Sequence, residues 1–345
     1  MGDVEAMFKQ GEIDEILLNI GRYQEQKSST EFTYKARPII VIAGPTCCGK
    51  TELSLFVAEK LGGEIVSADS MQAYRGMDVG TAKATVEERQ RIPHHLIDIR
   101  HVDDPLTVVD FFEEARRACD NILSRDRVPI VVGGAGFYLH VFLHGPPAGP
   151  PANEELRAKL SDEMEDIGIE AMYERLKSQD PDYAATITCN DRQKILRSLE
   201  ILSATGEKVS ALPWKERPLL PDYKFHNWFI HRPREILYER INARCDAMLE
   251  AGFVEEVIAL DVKGLRKNSS ASQAIGYRQC LKYLDSERTK EDYDKFVEEF
   301  KQASRRYAKR QFTWFRREPG FAWLDVDIHD TEIAAEIIMK EYQSW

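Results

Sequence analysis

The stretch Gly44-Pro45-Thr46-Cys47-Cys48-Gly49-Lys50-Thr51 decides the fold, because it fits the phosphate-loop pattern G-x-x-x-x-G-K-[ST]. An apolar run at residues 39–43 precedes it and predicts a strand, and a helical pattern follows at residues 52–61. In such a loop the backbone N–H groups and the helix N-terminus point at one anion. Lys50 adds a positive charge, and the Thr51 hydroxyl is placed to ligate Mg²⁺. The sequence therefore predicts a site for a di- or triphosphate group.

Outward from this loop, short apolar runs alternate with helical patterns, and long helices are predicted at residues 234–251 and 290–315. The further runs that predict strands lie at residues 64–68, 129–132, 224–231 and 321–326. Such alternation is typical of parallel strands joined by crossover helices. We therefore expect an α/β fold, a P-loop NTPase-like parallel sheet flanked by helices.

A boundary interrupts this pattern at residues 145–151, which read Gly-Pro-Pro-Ala-Gly-Pro-Pro and can form neither a helix nor a central strand. Residues 152–221 after it are helical in pattern and predict a helical insertion domain. The predicted catalytic core then comprises residues 37–151 and 222–345. Residues 1–36 form a predicted N-terminal extension with an amphipathic helical pattern.

The composition of the chain is that of an ordinary globular protein, since 43% of its 345 residues are hydrophobic and 30% are charged. A net charge of −11 argues against a surface that is basic throughout but allows a local basic patch. No apolar run approaches the roughly 20 residues that a membrane helix needs. The six cysteines form no C-x-x-C pair. We expect a cytoplasmic protein with reduced thiols, no membrane contact and a monomer as the default state.

Asp69-Ser70-Met71-Gln72 comes at the carboxyl end of the strand predicted at residues 64–68, where the ligands of parallel sheets bind. The carboxylate of Asp69 could hold Mg²⁺ through water, accept a proton from a nucleophile, or cap the chain from Met71 onward. The phosphate loop by itself equally suits a kinase, an NTPase or a transferase that releases pyrophosphate. These alternatives remain open on the residues alone.

Several further motifs follow the phosphate loop in order. They are SADSMQAYRGMDVGTAK at 67–83, PHHLID at 93–98, VGGAGFY at 132–138, NDRQK at 190–194, IGYRQ at 275–279 and KRQFTWFR at 309–316. Together these motifs resemble the tRNA dimethylallyltransferases, also called tRNA isopentenyltransferases. The resemblance runs from about residue 38 to about residue 325 and is closest to the compact bacterial type.

The resemblance implies transfer of the dimethylallyl group from dimethylallyl diphosphate to N6 of the adenosine 3′ of the anticodon (position 37) in tRNA. The products are N6-isopentenyladenosine and diphosphate, and Mg²⁺ is the implied cofactor. Asp69 is the implied base, while Lys50 and Thr51 stabilise the leaving diphosphate. Arg240 and Arg244 share one face of a predicted helix, where they form either a diphosphate clamp or a solvated basic stripe. The expected diphosphate-binding residues are Gly44, Pro45, Thr46, Cys47, Cys48, Gly49, Lys50, Thr51, Arg240 and Arg244.

Residues 301–317 contain basic and aromatic residues but no acid, a mixture that binds phosphates and stacks on the splayed bases of an RNA loop. The alternative is a basic amphipathic helix that packs its aromatic residues in the core. With the resemblance we expect contact with a tRNA anticodon stem-loop, whose target adenine is flipped out. The expected tRNA-binding residues are Asp69, Ser70, Met71, Gln72, Ala135, Arg157, Gln193, Lys194, Ile195, Leu196, Arg197, Gln273, Ala274, Ile275, Gly276, Tyr277, Arg278, Lys309, Arg310, Gln311, Phe312, Thr313, Trp314, Phe315 and Arg316.

Two features depart from the family pattern, namely Ala135 and the pair Cys47-Cys48, which stands where small residues such as Ala-Ser are more common. Ala135 stands where a hydroxyl residue is usual, which costs about 1–3 kcal/mol if a buried contact is lost. Cys47 and Cys48 lie at a helix N-terminus, which lowers thiol pKa, so we predict that both are sensitive to alkylation. The alternative functions are a prenyltransferase acting on free adenine nucleotides, a phosphate-loop kinase or ATPase, and a catalytically weak RNA-binding homologue.

Overall fold

A computed structural model describes residues 37–146, 149–212, 220 and 222–344 of the chain. The described chain divides into two compact units. The first contains the residues up to Leu143 and those from Leu220 onward, and the second is His144–Leu219. The predicted N-terminal extension, residues 1–36, lies outside the described residues. Within the part that is described, no helix is long and apolar enough to cross a membrane.

The first unit is built on one sheet of six parallel strands in the order β3-β2-β4-β1-β5-β6. The strands are β1 Arg37–Ala43, β2 Glu64–Ser67, β3 His94–His95, β4 Pro129–Gly133, β5 Tyr223–His231 and β6 Ala322–Asp325. The central strand β1 is buried from Ile39 to Ala43 because both of its edges are paired and helices cover both faces. The expected α/β fold with a parallel sheet is confirmed.

Helices connect these strands and form the second unit. They are α1 Lys50–Leu61, α2 Val86–Arg91, α3 Val108–Leu123, α4 Gly136–His144, α5 Glu154–Ile167, α6 Ile169–Gln179, α7 Pro181–Ala184, α8 Arg192–Thr205, α9 Arg234–Glu250, α10 Phe253–Val262, α11 Tyr277–Leu284, α12 Lys290–Phe315 and α13 Thr331–Gln343. Short 3₁₀ turns occur at Val209–Ala211 and Leu265–Lys267. The long helix α12 begins at a capping box between Thr289 and Asp292 and has the predicted bounds.

The second unit packs α5, α6, α7 and α8 around its own apolar core, which includes Leu160, Met172 and Leu199. At the edge of this core lies the buried carboxylate of Glu200. It accepts hydrogen bonds from the backbone N–H of Asn153 at 2.7 Å, from Arg157 at 2.8 Å and from Arg197 at 2.7 Å. These charge-assisted bonds offset the cost of burying the carboxylate. Arg157 and Arg197, both predicted to bind tRNA, therefore also hold this unit together.

In the first unit a second buried carboxylate, Glu64, lies at the start of β2 with its side chain 2% exposed. Arg125 donates to both of its oxygens at 2.5 and 2.8 Å, and His95 Nε2 donates to it at 2.7 Å. The hydrogen bonds from Arg125 are the largest cause that lowers the pKa of Glu64 to about 2. The contacts with Arg125 and His95 therefore favour the charged form of this buried carboxylate.

This pKa makes stability depend on pH through Glu64. Because the folded-state pKa is depressed, the stabilisation is present above the unfolded-state pKa near 4.5 and is lost as pH falls toward 2. We expect Glu64→Gln to lower the free energy of unfolding by about 3 kcal/mol at pH 7, with the difference shrinking steadily below pH 4.5. Urea titrations at pH 7, 4.5 and 3 measure this. The control Glu59→Gln removes only an exposed ion pair with Arg91 and should cost less than about 1 kcal/mol. An equal Glu64→Gln effect at pH 7 and pH 3 would contradict the argument.

Candidate active site at the carboxyl edge of the sheet

The phosphate loop joins β1 to α1 and is packed too tightly to hold another residue at Gly44. A Cβ there would lie 2.5 Å from the backbone oxygen of Ile230 in β5. Gly49, at the entrance of α1, has a φ of 105°, in the region that favours glycine. Lys50 Nζ donates to the carbonyl oxygens of Gly44 at 3.1 Å and Pro45 at 2.7 Å. The loop therefore curls around its own lysine, with the cation inside the curve.

Three arginines approach this loop from β5 and α9. Arg232 Nε donates to Cys48 O at 3.0 Å, Arg240 Nε to Cys47 O at 3.0 Å, and Arg244 Nη1 to Cys47 Sγ at 3.7 Å. Burial and the nearby charge of Arg240 lower the pKa of Arg232. The structure thus brings Arg240 and Arg244 to the phosphate loop, as predicted. Arg232 was missed, and its only sequence signal is its place directly after a strand.

Asp69 follows β2 and is fixed by a turn. Its Oδ1 accepts the backbone N–H of Met71 at 2.9 Å, an Asx turn rather than the start of a helix. Ser67 Oγ donates to Gln72 Oε1 at 2.9 Å, which holds the end of the turn to the strand. This hydrogen bond matches the capping alternative for Asp69, although the capped segment is a turn and not a helix. The Asp69 carboxylate lies at the carboxyl edge of the sheet.

A cavity of about 1150 Å³ opens beside the phosphate loop and lies within the first unit. Lys50, Thr51, Asp69, Arg240 and Arg244 line it together. Apolar side chains line other parts of the same cavity, namely Ile241, Met248, Ile275 and Phe300. Ligand sites are typically about 300–1,000 Å³ and combine apolar walls with a few placed polar groups. The arrangement can hold a phosphorylated group and an apolar group side by side.

Three tyrosines lie near the Asp69 carboxylate. Burial first, and the charge of Asp69 among other groups, raise the pKa of Tyr138 to about 12 and raise the pKa values of Tyr277 and Tyr307. The Tyr277 hydroxyl donates a hydrogen bond to Glu256 Oε1 at 2.6 Å. At neutral pH these phenols are protonated.

Most residues predicted to bind tRNA in the first unit fall into two sets, and the buried Gly276 belongs to neither. Those that line the cavity are Asp69, Ser70, Met71, Gln72, Gln273, Ala274, Ile275, Tyr277, Arg310 and Gln311. Those exposed at the surface of α11 and α12 are Arg278, Lys309, Arg310, Thr313, Trp314 and Arg316. Ala135 is half-buried at the turn before α4. Arg310 belongs to both sets and connects the exposed basic face to the cavity.

Three residues predicted to bind tRNA have side chains in apolar cores. Phe315 packs against Phe229 with ring centroids 4.8 Å apart and is buried. Ile195 and Leu196 are buried in the core of the second unit. The side chains of these three residues pack the protein core, and their contact with RNA stays a prediction. Phe312 is half-buried in the same aromatic cluster as Phe315, which fits the core-packing alternative for part of the segment.

A family model described as IPP transferase matches residues 72–318. The curated tRNA dimethylallyltransferase of Protochlamydia amoebophila is 57% identical over 332 residues, which are 96% of this chain and 96% of that protein. The chain belongs to the IPP transferase family. The Chlamydia caviae protein of the same name is 48% identical over 89% of this chain and 90% of its own length. The resemblance deduced from the ordered motifs is confirmed.

Solved structures of the family share the fold. The full-length tRNA isopentenylpyrophosphate transferase of Bacillus halodurans is 36% identical, with a TM-score of 0.65, and covers 89% of this chain and 97% of that one. A eukaryotic dimethylallyltransferase acting on tRNA is 28% identical, with a TM-score of 0.73, over 90% of this chain and 80% of that one. The expected phosphate-loop architecture is therefore confirmed for this IPP transferase.

The two thiols of the phosphate loop differ in environment. Cys48 is fully buried, and burial raises the pKa of its thiol. The prediction of a lowered thiol pKa is wrong for Cys48, because desolvation outweighs the effect of the helix N-terminus. Cys47 is half-buried, lines the cavity and lies 3.7 Å from Arg244. Sensitivity to alkylation stays a prediction for Cys47 alone.

Alkylation of the native protein should separate these thiols. With iodoacetamide we expect rapid labelling of the exposed Cys189 and slower labelling of Cys47, while Cys48 reacts only after unfolding in urea. Inorganic pyrophosphate should slow the labelling of Cys47 and leave Cys189 unchanged. Peptide mapping by mass spectrometry measures all three rates. Labelling of Cys48 as fast as that of Cys47 would contradict the burial argument.

Proposed function

We propose that this IPP transferase moves the dimethylallyl group of dimethylallyl diphosphate to N6 of the adenosine 3′ of the anticodon in tRNA. The observation that carries the proposal is the composition of one cavity. The cationic phosphate loop, the carboxylate of Asp69 and apolar side chains all line it. A prenyl diphosphate and an adenine amine need these three kinds of surface. The names of the relatives, which are tRNA dimethylallyltransferases, support the same activity.

On the donor side, Lys50, Arg240 and Arg244 bind the diphosphate of the donor. Negative charge grows on the diphosphate as its bond to C1 of the prenyl group breaks, so these cations act where charge develops. The Thr51 hydroxyl lines the cavity next to Lys50, and one protein oxygen together with phosphate oxygens is a donor set that suits Mg²⁺. Mg²⁺ held there by Thr51 would neutralise part of the charge of the diphosphate.

On the acceptor side, N6 of the adenine forms a bond to C1 of the prenyl group. The bond from C1 to the diphosphate oxygen breaks, and the diphosphate leaves with the electron pair. The amine loses one proton, which the Asp69 carboxylate accepts. The nearby phenols are protonated at neutral pH and do not compete as bases. The Asx turn from Asp69 to Met71 fixes the direction of the base.

The RNA approaches the exposed basic face of α12, with Lys309, Arg310 and Arg316 on phosphates and Trp314 available for stacking on a base. The target adenine is flipped into the cavity. We also propose that residues 37–151 and 222–345 are the catalytic core and that residues 152–221 are an insertion domain that contacts RNA through Gln193 and Lys194. The separate compactness of His144–Leu219 supports this division.

Free adenine nucleotides are the alternative acceptor, because they would use the same loop and base. They would leave the basic face of α12 without a function, which favours RNA. A catalytically weak RNA-binding protein is the other alternative, since Ala135 supplies no hydroxyl. Lys50, Thr51 and Asp69 in one cavity argue for activity.

The decisive assay offers labelled dimethylallyl diphosphate and Mg²⁺ with an anticodon stem-loop, with AMP, or with ATP alone. We expect label in the RNA only, and a loss of about 10²–10⁴-fold in kcat for Asp69→Asn, because the variant keeps its shape but cannot take the proton. Asp104→Asn, an exposed acid paired with Arg100, is the matched control. Label in AMP, or RNA binding without any transfer, would refute the proposed acceptor or the proposed activity.

The diphosphate clamp has its own test on α9. We expect Arg240→Met and Arg244→Met to raise the KM for dimethylallyl diphosphate and the Kd for pyrophosphate about tenfold or more, with RNA affinity unchanged. Each substitution removes a charge-assisted contact to the diphosphate. Arg234→Met, on the same helix but stacked over Tyr238, should leave both constants unchanged. Equal constants for Arg240→Met, Arg244→Met and Arg234→Met would favour the solvated-stripe alternative.

A further inference from the structure

Gln311 occupies an unusual position on α12. It is 4% exposed, although its neighbours Lys309 and Arg310 are exposed on the same helix. A buried carboxamide must find partners for both of its ends, because an unpaired donor or acceptor costs about 1–3 kcal/mol. Its two partners identify what the residue does.

Both ends of the carboxamide bind backbone groups at the active site. The Oε1 atom accepts the N–H of Thr46, inside the phosphate loop, at 3.0 Å. The Nε2 atom donates to the carbonyl oxygen of Gly134, in the turn after β4, at 2.9 Å. One side chain of α12 therefore joins two loops at the carboxyl edge of the sheet.

The backbone of Gly134 packs closely against this bridge. A Cβ at Gly134 would lie 2.2 Å from Gln311 Nε2 and 2.9 Å from Gly44 O. The bridge thus fixes the peptide plane of Thr46 in the phosphate loop, a type of loop that binds anions through its backbone N–H groups. Gln311 also lines the cavity beside Arg310.

We propose that Gln311 is a positioning residue for the diphosphate of the prenyl donor, rather than a residue that reads the RNA. This inference rests on the proposed function for the identity of the donor. Gln311 sets the conformation of the phosphate loop, and through it the affinity of the loop for a diphosphate. It does so from the helix whose exposed face carries the proposed RNA contacts. A function in RNA contact alone predicts effects on RNA affinity, and a function in folding alone predicts effects on stability.

Gln311→Glu tests the proposal through pH. An ionised carboxylate can still accept from Thr46 but repels the Gly134 carbonyl oxygen and adds negative charge beside the diphosphate. A protonated carboxyl group can accept and donate, and so reproduces both bonds of the glutamine. Burial raises the pKa of such a carboxyl group toward the neutral range. We expect the Kd of Gln311→Glu for inorganic pyrophosphate to be at least tenfold higher than that of wild type at pH 8.5. The ratio of the two Kd values should fall toward one at pH 6.

Two further variants complete the experiment. Gln311→Met loses both bonds at every pH, so its Kd ratio should be raised and independent of pH. Gln302→Glu makes the same chemical change at an exposed site of α12 and should bind pyrophosphate like wild type. Calorimetry gives Kd, steady-state kinetics give KM for dimethylallyl diphosphate and for the RNA, and circular dichroism gives Tm.

The outcomes separate the inference from the proposed function. A raised Kd and donor KM, an unchanged KM for RNA, and recovery of Gln311→Glu at low pH support positioning. A Kd ratio of Gln311→Glu to wild type that does not change with pH, together with a lowered Tm and no other effect, overturns the proposal. A change confined to RNA affinity also overturns it. If wild type binds pyrophosphate but transfers nothing to RNA, the proposed function fails, and the pyrophosphate data still decide whether Gln311 positions the loop.

Discussion

The parallel pairing of β1 with β4 on one side and β5 on the other is the constraint on which the site depends. Because the three strands run in one direction, the segments that follow them open at the same edge. The phosphate loop follows β1, the turn at Gly134 follows β4, and Arg232 follows β5. A Cβ at Gly44 would meet Ile230 of β5, so the sheet itself sets the backbone of the loop.

Hydrogen bonds from side chains to backbone groups fix the positions of the segments that follow the strands. Glu256, on α10, accepts the N–H groups of Asp78, Val79 and Gly80 at 2.8, 2.6 and 3.1 Å, and also the hydroxyl of Tyr277. One carboxylate therefore fixes the chain downstream of Asp69 and a tyrosine of the cavity wall. Gln311 acts on the phosphate loop in the same manner. In both cases a side chain on a helix holds a loop through hydrogen bonds to the peptide groups of the loop.

Local signals in the sequence predicted five of the six strands, the phosphate loop and the bounds of α12, because each depends on neighbours along the chain. The two-residue strand β3 was not predicted, since so short a strand leaves no pattern in the sequence. Arg232 and the partners of Gln311 could not be predicted, since they arise from contacts between distant segments. The burial of Phe315 was predictable. Residues 296, 300, 304, 308, 311 and 315 of α12 are buried and recur at helical spacing, and this stripe includes both Phe315 and Gln311. A glutamine in a buried stripe signals a specific hydrogen-bonding partner.

The departure at Ala135 is best understood from the residues before it. Gly133 has no space for a Cβ, which would lie 2.2 Å from Ala68 O, and Gly134 is closed by Gln311 and Gly44. The turn after β4 is therefore positioned by its backbone, which packs on β2, the phosphate loop and α12. A side chain at position 133 or 134 would displace this turn, so the two glycines directly before Ala135 constrain the geometry of the site.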